Sequence, residues 1–142
     1  MTHKELVERA VIWLKRIGCS HVISELHSSA QEIPDAIGWR SGKSILVECK
    51  TSRSDFMSDW KKPWRLDRKT GMGDWRFYMC KPGIISQNDI ILKSWGLIHI
   101  NGDKFKRVLC PKGNCNWGSS PFEANCRSEV KLLVSKLRRM DK

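Results

Sequence analysis

The chain has 142 residues, a length that predicts a single folded domain over 1–142. Its 26 lysines and arginines outnumber 15 aspartates and glutamates, and the net charge of +11 favours a polyanionic partner, nucleic acid first. A basic chain that is merely soluble or that contacts an anionic membrane surface remains open, whereas the lack of any apolar run near ~20 residues excludes a transmembrane helix.

Hydrophobic periodicity predicts an α/β chain with the element order αβββαβββα. Apolar residues at helical spacing indicate a first helix that ends at Gly18, and β-rich runs on both sides of 40–43 indicate a hairpin. Asn101-Gly102 predicts the turn of a second hairpin. The predicted elements are a helix over 4–17, strands over 21–27, 35–39 and 44–50, a helix over 54–62, strands over 75–80, 95–100 and 105–110, and a closing helix marked by Val130, Leu133, Val134 and Leu137.

Two segments read as loops. Residues 68–74 (RKTGMGD) hold two glycines and no aliphatic anchor, so we expect them to be mobile. Residues 111–125 are rich in glycine and proline. The predicted core therefore covers about 5–100, and 101–142 add a hairpin, a loop and the closing helix.

The residues that could carry chemistry lie at the end of the first hairpin. Side chains two apart in a strand share a face, so Glu48 and Lys50 point one way and Cys49 the other. If Asp35 lies on the neighbouring strand, its carboxylate approaches that of Glu48, and their repulsion favours a cation between them. Mg²⁺ suits carboxylate oxygens and activates a water that Lys50 can orient, which predicts a phosphodiesterase site. A solvated pair of Glu48 and Lys50 on an exposed sheet face is the alternative.

Pro34-Asp35 and the tripeptide ECK, thirteen residues after the aspartate, resemble the signature of the PD-(D/E)XK nuclease superfamily. The runs KTSRSDFMSDWKKPWR, GDWRFYMCKPGII and WGLIHI are similar to a DNA-repair-associated branch of that superfamily, over roughly residues 5–100. The resemblance implies a restriction-endonuclease-like core, a mixed β-sheet flanked by helices. It also implies an endodeoxyribonuclease dependent on Mg²⁺ or Mn²⁺, acting in DNA repair, recombination or the processing of phage or host DNA.

The resemblance implies roles for individual residues. The catalytic residues it implies are Asp35, Glu48 and Lys50. The metal ligands it implies are Asp35, Glu48 and the backbone carbonyl of Cys49, with Glu25 and Glu8 as further candidates. Three residues match the second helix of that branch, where they would contact substrate or support the helix: Asp55, Asp59 and Lys62.

The segment 59–69 (DWKKPWRLDRK) interleaves tryptophans with cations. Such a pattern is typical of a surface that pairs phosphates with cations and stacks bases on indole rings. Trp60 fits the core side of its helix equally well. The residues predicted to contact nucleic acid are Lys61, Lys62, Trp64, Arg65, Arg68 and Lys69.

Six cysteines accompany an N-terminus, MTHKELVERA, that has no signal-peptide core. This combination predicts a reducing compartment and a cytoplasmic location. Cys110, Cys115 and Cys126 lack the CxxC pairs of strong zinc motifs, so we expect free buried thiols there and no structural zinc.

Two alternatives to a DNA nuclease remain open. An inactive nucleic-acid-binding module on the same fold would keep the basic surface and perform no chemistry. A nuclease of this fold directed at RNA would prefer substrates with 2′-hydroxyls. The sequence is compatible with a monomer or a homodimer and predicts no membrane partner.

Overall fold

The computed structural model describes residues 1–111 and 115–141 and shows a mixed α/β fold with a six-stranded sheet. The long elements follow the predicted order, and two short helices, α3 and α4, are additional. Within the described residues the elements are α1 (His3–Arg16), β1 (His21–Ser24), β2 (Ala36–Arg40), β3 (Lys43–Cys49), α2 (Arg53–Asp59), α3 (Pro63–Leu66), β4 (Trp75–Cys80), α4 (Gln87–Ile90), β5 (Gly96–Asn101), β6 (Lys104–Leu109) and α5 (Cys126–Met140), with 3₁₀ turns at Arg68–Thr70 and Ile91–Lys93.

The strands lie in the sheet in chain order, β1 to β6. β1, β2 and β3 are antiparallel neighbours, β3, β4 and β5 are parallel, and β6 returns antiparallel to β5. The connections between parallel strands hold α2 and α3 before β4, and α4 before β5. β3 and β4 are buried along nearly their whole length, as expected for central strands covered on both faces.

The sheet separates two hydrophobic clusters. On one face Ala10 of α1 belongs to the same cluster as Val47 of β3, and on the other Phe56 of α2 belongs to the same cluster as Leu46. Neighbours in a strand alternate between faces, so Glu48 lies on the α2 side with Leu46.

The turn of the first hairpin sets the register that matters for the site. Ser41 and Gly42 form a two-residue turn with φ of 50° and 78°, and positive φ at both central residues is the requirement of a type I′ turn. The resulting register pairs Ala36 with Val47. The residues just outside that pair are the two predicted carboxylates, which therefore meet at the open end of the hairpin.

Residues 71–73 of the segment 68–74 are buried and Arg68, Lys69 and Thr70 are exposed, so the prediction that the segment has no apolar anchor was wrong. Met72 is fully buried and is itself the apolar anchor. Its backbone amide donates a 2.8 Å hydrogen bond to Glu32, and the amide of Gly73 donates one of 2.8 Å to Glu129. Two buried carboxylates thus hold this segment through its backbone.

Helix α5 is present, as the spacing of Val130, Leu133, Val134 and Leu137 predicts. Leu132 is fully buried, and Glu129 accepts 2.8 Å hydrogen bonds from Ser44 Oγ and the Gly73 amide. Leu133 is half buried against the core. The other three residues that mark the helix are 55%, 40% and 57% exposed: Val130, Val134 and Leu137.

Cys110 and Cys115 form a disulfide, with their Cα atoms 5.7 Å apart. The prediction of free buried thiols was therefore wrong for this pair, because the chain after β6 returns to within the Cα separation that a disulfide spans. Cys126 is free but exposed. Part of the predicted loop over 111–125, residues 112–114, lies outside the described residues.

Candidate functional site

Asp35 and Glu48 lie next to each other at the open end of the first hairpin. Asp35 Oδ2 accepts a 2.7 Å hydrogen bond from the backbone amide of Cys49, which fixes its carboxylate at the end of β3. Burial raises the pKa of Glu48 well above its usual range, and the negative charge of Asp35 and a hydrogen bond with it raise it further. Two carboxyl groups this close are stable together when they share a proton or a cation.

The burial of Glu48 and Lys50 argues against a solvated pair on an open sheet face. The two residues are 5% and 7% exposed. As the strand period predicts, both face the α2 side: Lys50 Nζ lies 3.5 Å from Asp59 Oδ1, and Glu48 Oε1 accepts a 3.0 Å hydrogen bond from Arg65. Among the described residues, the ion pair of Lys50 is with Asp59.

Arg65 lies at the centre of a buried charge network, and its prediction as a nucleic-acid contact was wrong. Its side chain is 1% exposed. Its guanidinium donates to Asp59 Oδ2 at 2.8 Å, to Glu32 Oε2 at 2.9 Å and to Glu48 Oε1 at 3.0 Å. Burial alone would lower the pKa of Arg65, but these carboxylates outweigh it and raise that pKa. An arginine whose donors are occupied in this way has no free face for a phosphate.

Asp59 links this network to the sheet. It is fully buried, and it accepts hydrogen bonds from Arg65 and from the hydroxyl of Tyr78. Lys62 Nζ lies 3.2 Å from it. Burial acts to raise the pKa of Asp59, but the positive charges of Arg65 and Lys50 and the hydrogen bond from Tyr78 outweigh burial and lower the pKa to about 2. Asp59 therefore stays ionised and holds the Lys50 ammonium in place.

Glu32 is a member of the network that the sequence analysis missed. It is 3% exposed and joins Arg65 to the amide of Met72. Glu32 lies between β1 and β2, in a segment without helix or strand, so no periodic pattern marks it. Its place three residues before Asp35 was the signal that could have found it.

Asp35 also belongs to a second group of potential metal ligands. His3 Nε2 lies 3.4 Å from Asp35 Oδ1, and His3 Nδ1 lies 3.8 Å from Glu25 Oε2. One ligand atom from each of these three residues lies within 4.8 Å of the others. Glu25 is thus near Asp35, as predicted by position, and His3 is a residue that the sequence analysis missed. Glu8 is exposed on α1 and lies with Glu25 along a neighbouring groove, outside this group.

The donors at this end of the hairpin fit a divalent cation. Carboxylate oxygens are the ligands that Mg²⁺ and Mn²⁺ prefer, and an imidazole adds a nitrogen that Mn²⁺ accepts. Asp35 is common to both groups of ligands, with Glu48 on one side and His3 and Glu25 on the other. Asp35 is therefore the residue on which any metal at this site depends.

Most of the cations predicted to contact nucleic acid lie at the surface beside the network. Lys61, Arg68 and Lys69 are exposed, and Lys62 is half exposed with its ammonium 5.8 Å from the centre of the Trp64 ring. Their positions leave open the binding role that the sequence predicts. Trp60 packs edge-on against Phe56, Tyr78 and Trp95 and so belongs largely to the core.

Comparison with known proteins identifies a shared fold. No protein-family model matches the chain, and neither does any curated protein. No helix within 1–111 and 115–141 has the length and apolar character to cross a membrane. The structure is similar to that of SPO1766, a protein of unknown function from Silicibacter pomeroyi, with a TM-score of 0.67 and 20% sequence identity over 99% of this chain and 90% of that one. At this identity the similarity shows the fold alone.

Proposed function

We propose that the chain is a metal-dependent nuclease of the PD-(D/E)XK type that hydrolyses phosphodiester bonds in DNA, on a restriction-endonuclease-like core. The observation that carries the proposal is the close approach of Asp35 to Glu48, a carboxyl whose pKa is raised by burial and, to a smaller extent, by the charge of Asp35. A divalent cation between them would relieve that repulsion. Mg²⁺ or Mn²⁺ would supply a water of lowered pKa and a positive charge for the phosphate.

The chain supplies the groups around that cation. Asp35 is 16% exposed and its Oδ2 is anchored by a backbone amide, so its carboxylate is both reachable and fixed in direction. Glu48 closes the site from the buried side. Lys50 adds a positive charge on the same side of the sheet, and Asp59 holds its ammonium there to orient a water or to stabilise the charge that develops on a phosphate.

A cleavage assay with matched variants tests this function. Wild-type protein should cut single-stranded, duplex or branched DNA with Mg²⁺ or Mn²⁺ and not with EDTA. Asp35→Asn and Lys50→Ala should each lower the cleavage rate by roughly 100-fold or more while DNA binding is retained. Glu123→Gln is the control, because Glu123 is an exposed carboxylate away from the site. Equal rates for Lys50→Ala and wild type would contradict the assignment.

A binding module without catalysis is the second candidate, and one observation favours it. Glu48 and Lys50 already have ionic partners, Arg65 and Asp59, so the two groups are satisfied without substrate or metal. DNA binding that persists in EDTA, with no cleavage on the same substrates, would support this candidate.

The same assay distinguishes a nuclease directed at RNA. Faster cleavage of RNA than of DNA of the same sequence would identify RNA as the substrate.

A further inference from the structure

A cavity of about 330 Å³ lies between the end of α2, α3 and the segment that precedes β5. Its described lining carries four cations and no anion, together with two tryptophans. These residues are Arg65, Arg68, Arg76, Lys93, Trp60 and Trp95. Arg65 lies between this cavity and the acidic site, because it lines the cavity and its guanidinium also donates a hydrogen bond to Glu48.

Arg76 gives the cavity a positive charge that the protein does not neutralise by direct contact. Its side chain is almost fully buried, and it donates to the backbone carbonyls of Gly73, Arg68 and Gly71 at 2.8, 3.0 and 3.1 Å. Among the described residues Arg76 makes no ion pair. Burial lowers its pKa to about 10. A buried cation is stabilised when an anion comes within reach, so this wall favours an anionic ligand.

Arg68 and Lys93 add two charges that form no ion pair in the described structure, although the charge of Asp89 acts on Lys93. Arg68 is exposed, and Lys93 is half buried with its Nζ 3.8 Å above the centre of the Trp60 ring. Burial lowers the pKa of Lys93. Three cations around one cavity are the arrangement that a phosphate group neutralises.

Trp60 provides the aromatic surface. Trp95 has no open face, because Tyr78 stacks on it at 4.4 Å and the Arg65 guanidinium lies 4.7 Å from its ring centre. The rings of Phe56, Tyr78 and Trp95 contact Trp60 in edge-to-face geometry, and the Lys93 ammonium lies over its ring. The indole Nε1 of Trp60 is also a buried donor without a hydrogen-bond partner among the described residues. A planar base could take the place of the ammonium.

We propose that this cavity binds a nucleotide, with its phosphate against Arg68, Arg76 and Lys93 and its base on the indole of Trp60. Lys93 turns from the ring to the phosphate when the nucleotide enters. The inference deepens the proposed function and rests on it for one point, the source of the nucleotide. That source is a DNA strand, and the nucleotide in the cavity would lie next to Arg65, which also contacts Glu48. A nucleotide in a strand and a free nucleotide share a base, a sugar and an anionic phosphate, so the test separates them.

Titration with thymidine 5′-monophosphate in EDTA tests the cavity without requiring metal or cleavage. We expect the monophosphate to bind, thymidine and inorganic phosphate to bind about tenfold more weakly, and the ¹⁵N–¹H indole resonance of Trp60 to shift, assigned through Trp60→Phe. Arg68→Ala should lower the affinity for the monophosphate about tenfold. Lys131→Ala is the control, since it removes one positive charge from the exposed side of α5 and does not line the cavity.

Several outcomes would overturn the inference. Binding of thymidine 5′-monophosphate with equal affinity by Arg68→Ala and wild type, or without a shift of the Trp60 resonance, would exclude a nucleotide in this cavity. Inorganic phosphate that bound as tightly as the monophosphate would show that the base makes no contact. A monophosphate that fails to compete with oligothymidylate would overturn the link to a DNA strand. Absence of cleavage with Mg²⁺ while the monophosphate still binds would reject the nuclease and leave the cavity assignment standing.

Discussion

Arg65 brings together three carboxylates that are far apart in the sequence. Each of its donating nitrogens has a different partner, Asp59, Glu32 or Glu48, and all four side chains are buried. Removing one member of such a network leaves a buried charge without a partner, which costs more than the pair itself is worth. Both the stability of the protein and the geometry of the candidate site therefore depend on these contacts.

Asp59→Asn should lower the free energy of unfolding by about 3–5 kcal/mol at pH 7, because Arg65 and Lys50 lose a buried counter-charge. Burial raises the pKa of Asp59, but Arg65 and Lys50 outweigh it and lower that pKa from its usual 3.8 to about 2. A carboxyl with a depressed pKa contributes stability above its unfolded value and loses it as the pH falls through the folded value. Urea unfolding should show the gap between wild type and Asp59→Asn narrowing by roughly 2 kcal/mol from pH 5 to pH 2.

The control for this experiment is Glu123→Gln, which removes an exposed carboxylate outside the network. It should change the free energy of unfolding by less than about 0.5 kcal/mol at either pH. A gap between wild type and Asp59→Asn that stayed constant from pH 5 to pH 2 would show that the network does not depend on the ionised form of Asp59.

Mn²⁺ should raise the melting temperature of the wild-type protein, because a ligand that binds the folded state stabilises it by mass action. Asp35→Asn should abolish the rise, since Asp35 belongs to both groups of candidate ligands. Glu48→Gln should abolish it as well, and His3→Ala should leave most of it. Differential scanning fluorimetry with Mn²⁺ and with EDTA measures the shift. If His3→Ala abolished the rise in melting temperature and Glu48→Gln kept it, the metal would be bound by His3, Glu25 and Asp35 instead.

At the scale of elements, the sequence predicts the order of helices and strands because local periodicity determines it. Periodicity does not identify the polar contacts that a helix makes with the rest of the fold. In helix α5, Glu129 is buried and accepts hydrogen bonds from Ser44 and Gly73. Those partners lie 85 and 56 positions away in the chain. No pattern within the helix could reveal them.

Two substitutions in α5 test which face of the helix is buried. Leu132→Ala should lower the free energy of unfolding by about 2–5 kcal/mol, because Leu132 is fully buried and its loss leaves a cavity. Leu137→Ala should cost less than about 0.5 kcal/mol, since Leu137 is 57% exposed. Thermal or urea unfolding of both variants measures the difference. The opposite ranking would show that the stripe of Val130, Val134 and Leu137 is the buried face.

At the scale of the whole molecule, the buried network combines charges of both signs, and the exposed charges beside it on 59–69 include Lys61, Arg68 and Lys69. The acid pair Asp35 and Glu48 was predictable because strand alternation and hairpin register are local rules. The burial of Arg65 was not predictable, because within 59–69 its sequence context is the same as that of its exposed neighbours. Its ionic partners include Glu32 and Glu48, which lie far from it in the sequence. The surface therefore keeps an excess of positive charge beside a site whose acidic groups are largely buried.

The proposed binding of DNA predicts how the affinity depends on salt. Phosphate contacts release counterions, so the logarithm of the affinity should fall linearly with the logarithm of salt concentration, by about 0.7 per contact for single strands and about 0.9 for duplex. Lys61→Ala and Lys69→Ala should each lower that slope by about one contact without changing stability, because both side chains are exposed. Fluorescence anisotropy of a labelled oligonucleotide in EDTA, from about 50 to 200 mM salt, measures it.

Two further variants decide whether the segment 59–69 is the binding surface. Lys131→Ala removes an equal charge from the exposed side of α5 and should leave the slope unchanged. Arg65→Met should instead lower the free energy of unfolding by several kcal/mol, about 3–5, because it strands three buried carboxylates. If Lys131→Ala lowered the slope as much as Lys61→Ala and Lys69→Ala, DNA would be attracted by the overall charge of +11 and not by this segment.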